Sequence, residues 1–234
     1  MKRIATAALA ALAIMAMACS KDPIIATNVV SFGNIDGSTF TTDGGLVYHI
    51  TEQTCEGSME GQERWLIVCD VLKKVSDGEY NIRLVDFVKP IVKAPVNYGE
   101  VPEGEAGDNP ISIGTGWIGG GYLNLQALFF FTQTDDSKHY INLMRDEDPE
   151  TAPFQEDTLY YRLFHNANGE YPGGEVSLDE MVYGYAYCCF PIRDDLPEEK
   201  DAMPIKVTWR ALVEGTDEDP YPTALFHATN TLTR

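Results

Sequence analysis

Four histidines are the residues in this sequence best suited to binding metal or transferring protons near neutral pH. They are His49, His139, His165 and His227. No two have the spacing of a His-x-x-x-His motif, and no Cys-x-x-Cys pair accompanies them. Convergence in the fold stays open, but the pattern favours four hydrogen-bonded or surface imidazoles. The sequence therefore predicts no metal site.

Acidic runs at 146–148, 194–195 and 217–219 suggest calcium-binding sites. None of them has the alternating oxygen ligands, central glycine and distal glutamate of a calcium loop. A run of like charges is more typical of a solvated turn. We expect solvated turns at these positions.

Motifs of catalysis and cofactor binding are absent from the sequence. It has no Gly-x-Ser-x-Gly elbow, no phosphate loop and no dinucleotide fingerprint. Cys188 or Cys189 would be a nucleophile only if His165 met it in the fold, and no third, orienting group is apparent. The sequence therefore predicts no catalytic residue, no cofactor and no enzymatic activity.

Three tyrosines, Tyr183, Tyr185 and Tyr187, alternate along a predicted strand and so share one face of it. If that face is exposed, the rings form a platform that can stack on sugars, as in a glycan-binding or carbohydrate-active surface module. If it is buried, the rings belong to the core and their hydroxyls reach its rim. Strands favour tyrosine in either case, so solvent exposure distinguishes the two interpretations.

Four cysteines follow position 19, and they are Cys55, Cys69, Cys188 and Cys189. Pairing of residues 46–55 with 62–72 in a hairpin would place Cys55 about 23 Å from Cys69 along the ladder, far beyond the roughly 6 Å between bridged Cα atoms. The last two cysteines are adjacent in a strand and point to opposite faces. We therefore expect four free thiols.

The N-terminus has the features of an export signal. Lys2 and Arg3 precede an uncharged segment, 4–18, that is shorter than the roughly 20 residues of a membrane-spanning helix. It ends in small residues directly before Cys19, an order that resembles a bacterial lipoprotein signal. Residues 1–18 are predicted to be removed and Cys19 to carry lipid; the alternative is a secreted protein with an incidental Cys19.

The charge limits which partners the chain can bind. Its 17 basic and 36 acidic residues give a net charge of -19, which excludes a nucleic-acid binder and disfavours anionic lipid surfaces. The N-terminal lipid would therefore hold the protein to a membrane. Export to the outer membrane is expected, and the single acid Asp22 after Cys19 leaves periplasmic and cell-surface display open.

Alternating apolar residues predict an all-β chain after the signal. Clear examples are 122–131, 159–163 and 205–213, and further strands are expected near 39–53, 64–74, 79–90, 176–190 and 222–232. Proline, glycine and acids accumulate at 96–110, which predicts a linker or exposed loop. The predicted order is a tether at 19–27, an OB-like barrel at 28–95, this linker, and a β-sandwich at 111–234.

Short stretches of the sequence resemble the NigD-like lipoproteins of Bacteroidetes. They are 28–31, 78–84, Trp117–Leu125, His139–Leu143 and Leu163–Glu170. Phe164 stands where the family often has arginine. The resemblance implies an OB-like domain followed by a β-sandwich. It also implies a lipoprotein with a non-catalytic binding or assembly role, linked to bacteriocin-associated gene clusters. The partner, a protein or a glycan, is not identified by the sequence.

Overall fold

The computed structural model describes residues 24–97, 99–134, 138–146, 155, 157–197, 202–212 and 221–229. Within these residues the chain forms thirteen strands and two single 3-10 turns, at Leu178–Glu180 and Arg193–Asp195. The strands are β1 (Ala26–Asp36), β2 (Thr39–Thr42), β3 (Val47–Gln53), β4 (Arg64–Ser76), β5 (Glu79–Val88), β6 (Ile91–Val92), β7 (Ser112–Gly119), β8 (Tyr122–Phe131), β9 (Tyr140–Arg145), β10 (Leu159–Asn166), β11 (Val182–Pro191), β12 (Ala202–Trp209) and β13 (Thr223–Thr229). The predicted all-β class is confirmed.

The first five strands form a closed barrel in the order β1-β2-β3-β5-β4. β3 runs parallel to β5, the other pairs are antiparallel, and β4 closes the barrel on β1. Alternate residues of β4, from Trp65 to Val71, point into a core that also holds Phe40 and Ile82. This is the predicted OB-like barrel; β1 begins at Ala26, within the segment predicted as tether.

The hairpin predicted between 46–55 and 62–72 is wrong. β3 lies between β2 and β5, so both of its edges are occupied, and residues 54–63 cross to a strand that is not its neighbour. Cys69 instead faces Val29 and Leu84. Cys55 and Cys69 both pack against the barrel core, so the argument from their separation fails. All four described cysteines are nevertheless free thiols in the structure.

The remaining strands form a β-sandwich of two four-stranded sheets. One has the order β13-β12-β10-β9, and the other, here called the inner sheet, has the order β6-β11-β8-β7. Their facing sides enclose a dry core that includes Leu125, Leu143, Leu163, Phe190 and Ile205. The predicted sandwich is confirmed.

The inner sheet is the middle of three layers. Its far side packs on the barrel through Cys189 of β11, Phe32 of β1 and Leu66 of β4, with Trp117 and Tyr187 alongside. Phe32 meets the ring of Trp117 edge-on, with 4.9 Å between centroids. The barrel wall therefore stands directly beside the tyrosine-bearing strand β11.

The Pro-rich stretch is fastened to the sandwich near both ends. β6 pairs with Cys188 and Cys189 of β11, although its residues lie within the range predicted as barrel. Isolated bridges join Val96 to Met144 and Asp108 to His165. The division of the chain into two domains near 96–110 stays a prediction.

No helix in the described part of the chain is long and apolar enough to cross a membrane.

Candidate functional site

The predicted strand at 176–190 is β11, and it places three tyrosines on the outer side of the inner sheet. β11 pairs with β8 along its whole length, with Tyr183 opposite Phe130 and Tyr187 opposite Gln126. Because strand side chains alternate, Ala186 and Cys188 point instead into the sandwich core. We call Tyr183, Tyr185, Tyr187 and Phe130 the tyrosine face.

Exposure divides the three tyrosines into two groups. Tyr183 is 51% exposed and Tyr185 is 60% exposed. Tyr187 is half-buried: its ring lies edge-on to Phe32 of the barrel at 5.2 Å, and its hydroxyl accepts a hydrogen bond from Gln126 Nε2 at 3.4 Å. Two rings are therefore open to solvent, and the third belongs to the contact between the inner sheet and the barrel.

The rings of the tyrosine face support one another. The ring centroids of Tyr183 and Phe130 lie 5.0 Å apart, and those of Tyr185 and Tyr187 lie 5.5 Å apart. Aromatic pairs at such distances stabilise one another beyond the area that they bury. The exposed rings are thus held on a sheet whose other side is the sandwich core.

The barrel strand β1 borders the tyrosine face. Phe32 contacts Tyr187. Two residues later on β1, Asn34 pairs with Arg64 of β4. The side chain of Arg64 in turn bonds to Asn124, which lies opposite Cys189 of β11. β1 and β11 therefore advance in the same direction across the interface. Val30, two residues before Phe32 on β1, is 61% exposed.

A buried ionic cluster fixes the barrel against the inner sheet. Arg64 is 1% exposed and donates from Nη1 and Nη2 to the carboxylate of Asp43, at 2.8 and 2.7 Å. Its Nη2 also donates to Oδ1 of Asn124 at 2.7 Å, and its guanidinium lies 4.2 Å from the ring centre of Tyr122. Burial opposes the charge, but the bonds to Asp43 outweigh it and the pKa of Arg64 is raised.

Glycine makes room for this cluster at the turn between β7 and β8. A Cβ at Gly119 or Gly120 would lie 2.8 or 2.6 Å from atoms of the Asp43 side chain. Gly120 also has φ +61°, which other residues rarely adopt. Glycine at these two positions thus allows the close approach of Asp43. The register shift between Ile113 and Thr115 marks a bulge in β7.

Two of the four histidines converge, which the sequence had left open, and both imidazoles are hydrogen-bonded. His139 Nδ1 lies 2.9 Å from His165 Nε2, and His139 Nε2 lies 3.2 Å from Glu170 Oε2. His165 Nδ1 lies 3.2 Å from the carbonyl oxygen of Pro110. His139 stacks on Phe129, with 4.7 Å between ring centroids.

The hydrogen bonds determine the tautomers of this pair. The Pro110 carbonyl only accepts, so His165 carries its proton on Nδ1, and its Nε2 then accepts from Nδ1 of His139. Nε2 of His139 then faces a carboxylate oxygen of Glu170, which also accepts from the backbone N–H of Thr132. A proton between His139 and Glu170 would complete the chain of bonds.

Burial lowers the pKa of both imidazoles. It lowers the pKa of His165 to about 4, with a further contribution from His139. It also lowers the pKa of His139, against the opposing effect of the hydrogen bond between His139 and Glu170. Among the described residues, no group of three or more His, Cys, Asp or Glu has a geometry that could hold a metal ion. The cluster therefore has a structural role: it links the start of β9, the end of β10 and the 167–170 turn.

Within the described residues, neither Cys188 nor Cys189 is paired with His165 as a nucleophile would be with its base. Cys188 and Cys189 point to opposite faces, as predicted, one into the sandwich core and one towards the barrel. Burial raises the pKa of the Cys188 thiol far above its usual range, and His165 is engaged with His139 and Pro110. Cys19 and the acidic runs at 147–148 and 217–219 lie outside the described residues.

The sequence reasoning missed both clusters, because their members are far apart in the chain. The signal was present all the same: the stretches Trp117–Leu125, His139–Leu143 and Leu163–Glu170, noted only for their resemblance, contain Asn124, both clustered histidines and Glu170. Arg64 and Asp43 lie in none of these stretches, so nothing in the sequence pointed to them. The tyrosines were found by alternation alone.

Comparison with protein families gives one match. Residues 94–219 match the family described as the NigD-like C-terminal beta sandwich domain. That range begins within the Pro-rich stretch and covers most of the sandwich. Among curated proteins, none matches this chain significantly.

Solved structures from Bacteroidetes share the fold across both parts of the chain. A protein of Parabacteroides distasonis, provisionally described as toxin-related, has a TM-score of 0.63 at 19% identity, covering 88% of this chain and 95% of its own. A NigD-like immunity protein of Bacteroides caccae has a TM-score of 0.55 at 18% identity, with 86% and 91% covered. A protein of Bacteroides fragilis, provisionally described as a lipoprotein, has 0.54 at 11%, with 86% and 97% covered. At these identities the likeness shows the fold alone.

Proposed function

The chain belongs to the family defined by the NigD-like C-terminal β-sandwich domain, and from this premise we propose that it is an exported lipoprotein with a non-catalytic binding or assembly role. In this proposal Cys19 carries the lipid that anchors the chain to the outer membrane. The tyrosine face is the surface that meets the partner. The description of one solved relative as an immunity protein agrees with a role in binding rather than catalysis.

The observation that carries the proposal is the exposure of Tyr183 and Tyr185 on a sheet held rigid from both sides. Monomeric proteins rarely leave large aromatic rings together in solvent without use, and tyrosine is enriched where proteins meet partners. The sandwich core supports the inner sheet from one side. The Arg64–Asp43 cluster and Phe32 hold the barrel beside it on the other. A surface prepared in this way loses little conformational freedom on binding.

A second candidate function is glycan binding by a carbohydrate-active surface module. The same exposed rings favour it, because sugars stack on flat aromatic faces. It differs from the first proposal in the partner and not in the site. Binding of neutral oligosaccharides that is lost with the tyrosine rings would support it.

The proposal is tested by differential capture from native membranes. The full chain is compared with the double variant Tyr183→Ser/Tyr185→Ser and with Leu225→Ser, which removes a side chain that is 53% exposed on β13 of the other sheet. We expect a component that is retained by wild type and by Leu225→Ser and is lost with the tyrosines. Identical captured sets for all three proteins would contradict a role for the tyrosine face.

A further inference from the structure

The strands that carry the tyrosine face, and the barrel strand beside it, contain no basic residue. The residue ranges of the four inner-sheet strands contain no lysine or arginine, and neither does that of β1. The outer sheet differs, since Arg145, Arg162 and Lys206 lie on its strands. Of the two sheets of the sandwich, only the inner sheet has described strands that contain no basic side chain for a partner to meet.

Acidic groups adjoin this face at the start of β11. Asp179 and Glu180 form the exposed 3-10 turn that ends two residues before Val182, and Tyr183 follows it. The chain as a whole carries a net charge of -19. Exposed aromatic rings beside acids in an acidic protein produce a negative potential over an apolar surface.

We infer that the tyrosine face receives a cationic polypeptide segment in which lysine or arginine alternates with apolar residues. Cations bind over the electron-rich faces of tyrosine rings, and the acidic surroundings attract them over longer distances. The apolar residues of such a segment would cover Phe130, whose ring centroid lies 5.0 Å from that of Tyr183. This inference rests on the proposed binding role of the tyrosine face and names its partner class.

The same charges disfavour the other occupants. A second copy of the chain brings the same net charge of -19 to the contact and is repelled. Anionic lipid headgroups and acidic glycans are repelled for the same reason. A neutral sugar can stack on the rings and donate hydrogen bonds to Asp179 and Glu180, but their charge does not attract it over longer distances. A cationic partner is attracted by the charge as well as by the rings.

The inference is tested by binding synthetic peptides to the full chain purified in detergent. The probes are a peptide of alternating lysine and phenylalanine, a glutamate–phenylalanine counterpart and a lysine–serine counterpart, each about twelve residues long. Neutral oligosaccharides and vesicles of anionic lipid complete the set. We expect the lysine–phenylalanine peptide to bind most tightly, and its affinity to fall as salt is raised.

Matched variants connect this binding to the face. Tyr183→Ser/Tyr185→Ser should weaken it about tenfold, at two- to fivefold for each lost cation–ring contact, and Tyr185→Phe, which keeps the ring, should retain it. Asp179→Asn/Glu180→Gln should weaken binding at low salt and flatten its salt dependence. The control Asp36→Asn/Asp194→Asn changes the charge by the same amount at the last residue of β1 and in the turn after β11, and should leave binding unchanged.

Three results would overturn the inference: equal binding of the glutamate–phenylalanine peptide, no binding of the lysine–phenylalanine peptide, or binding that the tyrosine variant leaves intact. Oligosaccharide binding that depends on the tyrosines, with no peptide binding, would also overturn it. That last result would leave the proposed binding role of the face standing, so the two proposals fail separately.

Discussion

Replacing Arg64 by leucine should destabilise the barrel and weaken its contact with the inner sheet. The substitution removes the two hydrogen bonds to Asp43 and the one to Asn124, all between 2.7 and 2.8 Å. It also leaves the Asp43 carboxylate, which is 14% exposed, without its counter-charge. The Asn124 amide keeps only longer contacts, to backbone oxygens of Trp117 and Tyr122.

The size of the effect follows from the burial of the guanidinium. Hydrogen bonds to charged groups each contribute about 1.5–3 kcal/mol, and breaking a buried ion pair by removing one partner typically costs about 3–5 kcal/mol. Because water reaches part of Asp43, we expect a loss near the lower end, about 3 kcal/mol of unfolding free energy. The double variant Arg64→Leu/Asp43→Leu removes the unpaired charge as well, so it should lose less than the sum of the single variants.

Urea unfolding followed by tryptophan fluorescence measures this directly, because Trp65 lies in the barrel core and Trp117 at the interface. Lys74→Met is the matched control on the same strand: its pair with Asp77 is exposed and should contribute less than about 1 kcal/mol. A loss below 1 kcal/mol in Arg64→Leu, or additive losses in the double variant, would refute the role assigned to this cluster.

Four further predictions can be checked on the same protein. Cys19→Ala should move the chain from the detergent phase to the aqueous phase, and equal partitioning of the two proteins would exclude lipidation. Thiol titration of the denatured, delipidated chain should find four free groups, whereas zero or two would reveal disulfides. Limited proteolysis should cut first within 93–110, so first cuts inside β8 or β12 would misplace the domain boundary. Because burial lowers the pKa of His165 to about 4, below about 6.5 in the unfolded chain, the unfolded state takes up a proton first as the pH falls. Stability should therefore decline between pH 6.5 and 4, by up to about 3 kcal/mol from this residue, and His165→Gln should lose that slope in urea unfolding; equal slopes would contradict the assignment.

Alternation predicted the strands that have one buried face, and it failed where glycine interrupts the pattern. β8 and β12 were found because their apolar residues recur at every second position over long runs. β7 and β1 carry glycines and small polar residues whose role is close approach, at Gly116 and Gly33 for example, so neither strand has a strong apolar period. The class of fold could be predicted from sequence, but strands such as β1 and β7 could not.

The register and the long-range pairing of the strands could not be predicted from the sequence, for a different reason. A hairpin is the shortest connection, so joining β3 to β4 was the simplest prediction. Closure of a five-stranded barrel overrides it, because β3 can close the ring only by lying parallel to β5. The convergence of His139 with His165 depends likewise on the antiparallel pairing of β9 with β10, in which Ile141 faces His165. Nothing in the local sequence specifies that pairing.

The stretches that resemble the family hold the fold together, and the tyrosine face lies outside them. Asn124 and the turn glycines of Trp117–Leu125 complete the cluster around Arg64, while His139, His165 and Glu170 fasten the ends of β9 and β10. Tyr183 and Tyr185 belong to none of these stretches, and their side chains face solvent. Relatives that keep the fastenings can therefore keep the fold while the exposed side chains of β11 change without a large cost in stability. Members of the family would therefore share the scaffold. The partner of each member would be determined by exposed residues such as the two tyrosines and the acids that precede them here.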